Sequence, residues 1–271
     1  MALPALQSVA DCADFSETIS PFIPQLVSLP ARIAEVYQDA AAAQQLYLTT
    51  NPLITAFFRL TFNYWRRGGY SIGSEDYRWQ IVKSNINSPS LFFLLNVGFI
   101  SFAQSILLFL VTAPTYIFIL LGTAPDGPKY GIPDLFFSRL VFFFVIFEFF
   151  ADQQQWNFQQ AKKEYQRTAR VPPEYRATLT SEDLDRGFVI TGLWSWCRHP
   201  NYLAEQAVWL TLYAWASYKA EVYMNWTAVG AVSYILLFQC STILGESITA
   251  SKYPEYKDYQ ARVGKFLPRL F

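Results

Sequence analysis

One histidine, His199, and three cysteines, Cys12, Cys197 and Cys240, are all the imidazoles and thiols in this 271-residue chain. The cysteines are odd in number, unrelated in spacing and without a CxxC pair, which fits neither a disulfide framework nor a zinc site and leaves the redox compartment open. With the acids scattered, no ligand set for a metal is recognisable. Charge is equally sparse. Charged residues make up 15%, and 21 Lys and Arg balance 21 Asp and Glu, so no overall field favours nucleic acid. No Gly-x-Gly-x-x-Gly follows a strand signal, which excludes a soluble Rossmann site. Met1 to Gln7 hold no basic residue ahead of a long apolar core, which argues against a cleaved secretory signal. There is no internal repeat, and the Ala40 to Ala43 run reads as plain helix.

What the chain does have is apolar and aromatic. Hydrophobic residues make up 52% and aromatics 18%, with uninterrupted runs such as Leu91-Phe92-Phe93-Leu94-Leu95 and Val141-Phe142-Phe143-Phe144-Val145. Such runs belong to a helical membrane protein. A crossing needs about 20 mostly apolar residues. Ser90 to Leu121 exceeds that, with Pro114 expected to end or kink the helix. Leu135 to Ala151, interrupted only by Arg139 and Glu148, reads as a second span, and Tyr202 to Tyr218 and Trp226 to Gly245 as two more. Pro52 to Trp65, ending at Trp65-Arg66-Arg67, reads as a fifth that leaves through an aromatic and basic interface. The domain division expected is an N-terminal segment over residues 1–50 and a membrane-embedded domain over 51–271.

Basic residues are distributed unevenly between the connections. Arg66 to Pro89 holds Arg66, Arg67, Arg78 and Lys83, and Asp152 to Pro200 holds Lys162, Lys163, Arg167, Arg170, Arg176, Arg186 and Arg198. The tail adds five more, whereas Asp126 to Asp134 holds only Lys129 and the turn after Tyr218 only Lys219. Counting crossings puts the three basic segments on one side, which the positive-inside rule makes cytosolic.

The candidate chemistry surrounds Arg198-His199-Pro200-Asn201-Tyr202. Pro200 suits the first turn of a helix; Asn201, Glu205 and Trp209 then follow at steps of four, and one face carries polar groups into the bilayer. An intramembrane carboxylate by default marks a functional site. Glu148 and Asp152 repeat the theme at i and i+4. Plain alternatives stand beside these readings: interface anchoring for Arg198, His199 and Tyr202, and helix-pinning ion pairs with Arg198 or Arg59 for the acids. The tyrosine-rich tail folds back over the basic face or remains a solvated amphipathic end.

Taken together, Glu148-x-x-x-Asp152, Gly192-Leu193-Trp194-x-x-x-Arg198-His199-Pro200-Asn201-Tyr202-x-x-Glu205 and the Lys252-Tyr253-Pro254-x-Tyr256-x-x-Tyr259 to Phe266-Leu267-Pro268-Arg269 tail resemble the DUF1295 family, which is related to steroid 5-alpha-reductases. Arg59 to Tyr70 and Glu75-Asp76-Tyr77-Arg78-Trp79 share the resemblance, which covers roughly residues 59 to 271. It implies an all-α, multi-span bundle whose cytosolic loops and tail close a cofactor pocket in the endoplasmic reticulum or a related membrane. It also implies an NADPH-dependent reduction of a C=C bond in a lipid or sterol-like substrate. Asp152, Arg198, His199, Asn201, Tyr202, Glu205, Tyr253 and Tyr256 would bind the cofactor. Enone reduction needs an acid at the carbonyl, and Tyr64, Glu148 and Tyr202 are the candidates for that catalytic role. Isoprenylcysteine carboxyl methyltransferases also belong to the superfamily, so S-adenosylmethionine chemistry on a lipid or lipidated cysteine is the alternative, and a non-enzymatic scaffold or truncated remnant a third. The chain departs from the pattern in two places. Ala56 stands where the reductases' tyrosine is expected, and the segments around Asn51-Pro52-Leu53 and Arg59-Leu60-Thr61-Phe62 nearly abut where relatives of this kind insert further spans.

Overall fold

The computed structural model describes residues 54–73, 77–123 and 129–269. The N-terminal segment 1–50, the Ala40 to Ala43 helix, Cys12, the start of the first span at Pro52, and Glu75 and Asp76 lie outside the described residues. The described chain is helical: α1 (residues 54–66), α2 (Tyr77–Ile86), α3 (Pro89–Leu95), α4 (Gln104–Thr123), α5 (Ile132–Thr168), α6 (Ser181–Arg186), α7 (Pro200–Ala220), α8 (Ala228–Lys252) and α9 (Tyr256–Arg262). Among the described residues the only extended pairing is an isolated parallel bridge between Cys197 and Gly264. Two stretches, Pro89–Gly122 and Ala228–Lys252, are long and apolar enough to cross a membrane. The other expected spans are helices too, but α7 carries Asn201, Glu205, Gln206 and Lys219 in its 21 residues, which dilutes its apolar length.

The chain packs as two units, Met1–Phe142 with Ala207–Leu236, and Phe143–Gln206 with Leu237–Phe271. In the first, α2 ends at Asn87, whose positive φ of 46° suits asparagine better than most side chains. Ser88 then accepts from the Leu91 amide and Pro89 occupies the first turn, so a new helix starts at once. A π-helical segment, Asn96–Ala103, joins α3 to α4. Pro114 does not end α4, which continues to Thr123. Proline removes the N–H that the carbonyl four residues earlier would accept, and here Gly230 of α8 lies against that Leu110 carbonyl. A Cβ at Gly230 would fall 2.1 Å from the Leu110 oxygen. The missing amide and the missing side chain thus meet at one close helix approach.

The core of this unit packs Ile117, Phe118, Leu120 and Leu121 of α4 on Leu212, Trp215, Ala216 and Ala220 of α7. Trp215 sits edge-on to Phe118 at 4.9 Å and stacked on Phe137 of α5 at 6.2 Å. Its Nε1 donates to Asp134 Oδ1 at 2.8 Å, while Lys219 Nζ reaches Asp134 Oδ2 at 3.0 Å. Asp134 and Lys219, read from sequence as connection residues, instead form a buried ion pair.

The second unit holds the C-terminal part of α5, the connection 169–199, the start of α7, the end of α8, and α9. α6 is closed at its start by a capping box between Thr180 and Asp183, and at its end by Gly187 in the left-handed region at φ 85°. Phe158 and Ala161 of α5 pack with Leu179, Leu184, Val189 and Trp194, and Phe188 packs with Tyr256 and Tyr259 of α9. The tail therefore folds back onto the 187–199 connection. Arg198 N donates to Gly264 O and His199 N to Lys265 O, at 2.9 and 3.2 Å.

Candidate functional site

The second unit brings together segments far apart in sequence around one carboxylate, Glu246, near the end of α8. Arg198 Nε and Nη2 donate to its two oxygens at 2.7 and 3.1 Å. His199 Nε2 lies 2.8 Å from Oε1, and Gln260 Nε2 donates to Oε2 at 2.8 Å. Arg198 Nη1 completes the cluster by donating to the Gln260 and Val263 carbonyls. The guanidinium expected to grip cofactor phosphates therefore already makes four hydrogen bonds that bind the tail. Its geometry is that of a structural arginine, bidentate on a carboxylate.

A second contact joins α5 to α7. Asn201 Nδ2 donates to Asp152 Oδ1 at 3.1 Å, and Asn201 Oδ1 accepts from the Tyr202 amide. The Tyr202 ring is stacked on His199, with centroids 5.3 Å apart and an interplanar angle of 15°, and meets Phe238 of α8 at 4.8 Å. Packing fixes the ring, while the Tyr202 hydroxyl makes no hydrogen bond among the described residues. Three residues beyond Asp152 on α5, and so on a neighbouring face, the buried Gln155 Oε1 also has no donor among the described residues. A buried acceptor of this kind asks for an N–H or O–H from something else.

A third cluster lies further along α5. Lys162 Nζ donates to Gly187 O at 2.7 Å and to Tyr253 Oη at 2.6 Å. Burial pushes the Tyr253 phenol up, but the hydrogen bond and charge of Lys162, then of Lys252, outweigh it and hold the phenol below its ordinary value. Tyr256 and Tyr259 behave oppositely. Burial pushes both phenols well above the usual range, and nearby negative groups add to it. Burial likewise raises the Cys197 thiol, against the lowering by the His199 amide and Arg198, so this cysteine is no activated nucleophile.

Of the residues expected at the site, Asp152, Arg198, His199, Asn201, Tyr202, Tyr253 and Tyr256 take part in these three clusters. Glu148 and Glu205 are buried on α5 and α7, each within a turn of the Asp152–Asn201 contact. Tyr64 belongs to the other unit, half exposed and edge-on to Tyr70 at 4.8 Å. Glu246, Gln260, Gln155 and Lys162 were not singled out from sequence. Glu246 carried a signal, a carboxylate directly after the apolar run of α8; the others read as ordinary polar residues.

The family model described as "Protein of unknown function (DUF1295)" matches residues 8–263. The chain belongs to the DUF1295 family. An uncharacterized protein of Schizosaccharomyces pombe is 41% identical over 212 residues, which cover 78% of this chain and 60% of that relative. The chain thus spans about 60% of the relative's length. No solved structure matches it at a significant level. The resemblance read from the RHPNY segment and the tail therefore stands at the level of the family, and neither match names a reaction.

Proposed function

We propose that this DUF1295 chain is an NADPH-dependent membrane reductase acting on a C=C bond of a lipid or sterol-like substrate, its second unit being the seat of the cofactor. The observation that carries the reading is the convergence of Asp152, Asn201 and Tyr202 beside the Glu246 cluster. These are residues in which the chain resembles the reductase pocket, and they are joined here by hydrogen bonds from segments about fifty positions apart. The fit to a nicotinamide is chemical. Gln155 Oε1 is a buried acceptor without a donor among the described residues, suited to a carboxamide N–H, and Tyr202 offers a hydroxyl on a ring held by His199 and Phe238.

When bound, NADPH supplies hydride to the β carbon of the double bond. The chain's own part is to orient and to hold a proton. Asp152 and Asn201 fix the start of α7 against α5, and His199 is anchored by Glu246, so the stacked Tyr202 ring holds its hydroxyl steady as the proton donor to a polarised carbonyl. Glu148 is a second buried acid on the same helix as Asp152.

The membrane part of the proposal is a multi-span protein of the endoplasmic reticulum or a related membrane, with the basic connections and tail in the cytosol. Its support is exposure. The most apolar window of α8 is only 17% buried, whereas the core helix of a soluble protein would be mostly covered. Phe57, Phe58, Phe93, Phe102, Phe136, Phe143 and Phe150 stand on open helix faces, a coverage that water does not tolerate. Retention in the membrane pellet after carbonate washing is expected, and release without detergent would refute it.

The deciding experiment is thermal unfolding in detergent with NADPH, NADH or S-adenosylmethionine added separately, for the natural chain and for Tyr202→Phe. NADPH at a hundred times its Kd should stabilise by about 2.7 kcal/mol, with the gain reduced in the variant. Stabilisation by S-adenosylmethionine instead would transfer the reading to a methyltransferase; silence with all three would leave a scaffold.

A further inference from the structure

Outside the three clusters, the tail borders a cleft that holds no acid. Its volume is about 360 Å³ and its lining is Ser195, Trp196, Arg262, Val263, Pro268 and Arg269, which is within the roughly 300–1,000 Å³ typical of small-molecule sites. Arg262 Nε donates to the Asp258 carbonyl at 3.3 Å and Arg269 Nη1 to the Ala261 carbonyl. Neither guanidinium is in an ion pair among the described residues. Capping the end of α9 in this way uses one nitrogen of each arginine and leaves the rest of both forks to the cleft. Ser195 Oγ is spent on the Gly192 carbonyl at 2.7 Å, whereas the Trp196 indole N–H makes no hydrogen bond among the described residues. The donors left to a ligand are thus two guanidinium forks and one indole.

The cleft is held open by the backbone around it. Val263 O accepts from Arg198 Nη1, Gly264 O from Arg198 N at 2.9 Å, and Lys265 O from His199 N at 3.2 Å. A Cβ at Gly264 would collide with the Leu267 carbonyl oxygen, so only glycine lets the chain double back between Val263 and Pro268 and bring Arg269 against α9. Donors fixed in advance cost little to order when an anion arrives.

We propose that this cleft holds the headgroup phosphate of an anionic phospholipid of the cytosolic leaflet, the phosphate accepting from Arg262, Arg269 and the Trp196 indole. The rim favours a lipid over a dissolved phosphate. Trp196 is 62% exposed and Leu267, next to Pro268, 69% exposed, an aromatic and an aliphatic side chain placed as membrane-interface anchors are. The negative surface of a cytosolic leaflet also draws basic segments to it. This inference rests on the membrane part of the proposed function and on its orientation; the three donor residues are none of those assigned there to cofactor or proton.

The test is equilibrium binding of dioleoyl phosphatidic acid, dioleoyl phosphatidylcholine and inorganic phosphate to the full chain in detergent, with NADPH as a competitor. The natural protein should prefer phosphatidic acid over phosphatidylcholine by roughly tenfold or more, and neither inorganic phosphate nor NADPH should displace the lipid. Arg262→Gln combined with Arg269→Gln should lose most of that preference. Arg262→Gln alone, which disturbs one exposed helix contact, should lose part of it and guards against a folding defect in the double variant. Lys257→Gln, an exposed charge on α9 outside the cleft, should keep it. Equal binding of the two lipids, or a preference that survives the double variant or falls as far with Lys257→Gln, would overturn the proposal. Displacement by inorganic phosphate would reassign the cleft to a dissolved anion, and displacement by NADPH to the cofactor; either sinks the lipid site. All these failures leave membrane retention after carbonate in place, whereas release by carbonate would take down the membrane reading and this site together.

Discussion

Arg198 and Glu246 meet through two nearly parallel hydrogen bonds across forty-eight positions of chain, both side chains about nine-tenths buried. A buried pair of this kind is weak evidence for net stability, but removing one partner leaves the other charged and desolvated, at a cost of about 3–5 kcal/mol. Arg198→Ala and Glu246→Gln should each lower the detergent melting temperature sharply. Combined, they should cost much less than the sum, because neither charge is then abandoned. A double variant that loses the full sum would show that the pair does not couple.

Gly230 supports a second expectation. A methyl group there would meet the Leu110 carbonyl and the Val111 amide, backbone atoms that cannot swing aside. Gly230→Ala should cost about 1–3 kcal/mol by overpacking, read as a lower unfolding temperature, whereas Gly98→Ala, which meets nothing within 4 Å, should be mild.

Alkali should act on the tail first. Burial raises the Tyr256 and Tyr259 phenols in the folded state, so their contribution to stability is fully present below the unfolded tyrosine pKa of about 10 and is lost as pH rises through the higher folded values. Absorbance at 295 nm should show these two ionising last, together with loss of structure. Tyr256→Phe with Tyr259→Phe should remove that late phase; a late phase that persists in the double variant would assign it elsewhere.

The thiols distinguish lipid from core. Cys240 is exposed on α8 and Cys197 buried. In a Cys12→Ser background, a membrane-permeant maleimide should label Cys240 in intact membranes. A charged, impermeant one should label neither cysteine until the protein is unfolded. Labelling of Cys240 by the impermeant reagent would take α8 out of the bilayer.

The apolar runs made the helices legible, because a span declares itself by length alone. Ser90 to Leu121 lies wholly within the observed Pro89–Gly122 stretch. The errors arose at polar ends. α8 continues beyond Gly245 to Lys252 because Glu246 is paired with Arg198 and hydrogen-bonded to His199, partners that hydropathy does not reveal. α5 runs on from Ala151 to Thr168 because Gln153, Gln154 and the residues after them are adequate helix formers with a core to cover, Phe158 and Ala161 being fully buried. At the site, the RHPNY segment announced itself by composition, but the use of Arg198 for the tail instead of a phosphate, and the hydrogen bond of Lys162 to Tyr253, depend on contacts sixty to ninety positions away. No local pattern encodes those.

The tail's hold on Arg198 also orders the birth of the protein. Every side chain or carbonyl that satisfies its guanidinium lies between Glu246 and Val263, so when Arg198 leaves the ribosome its partners have not yet been translated. The RHPNY segment must wait, still hydrated, until the chain has been made through Val263. A nascent chain halted anywhere before Glu246 would carry an unsatisfied cation at the mouth of α7, a ready mark by which quality control could tell unfinished copies from finished ones.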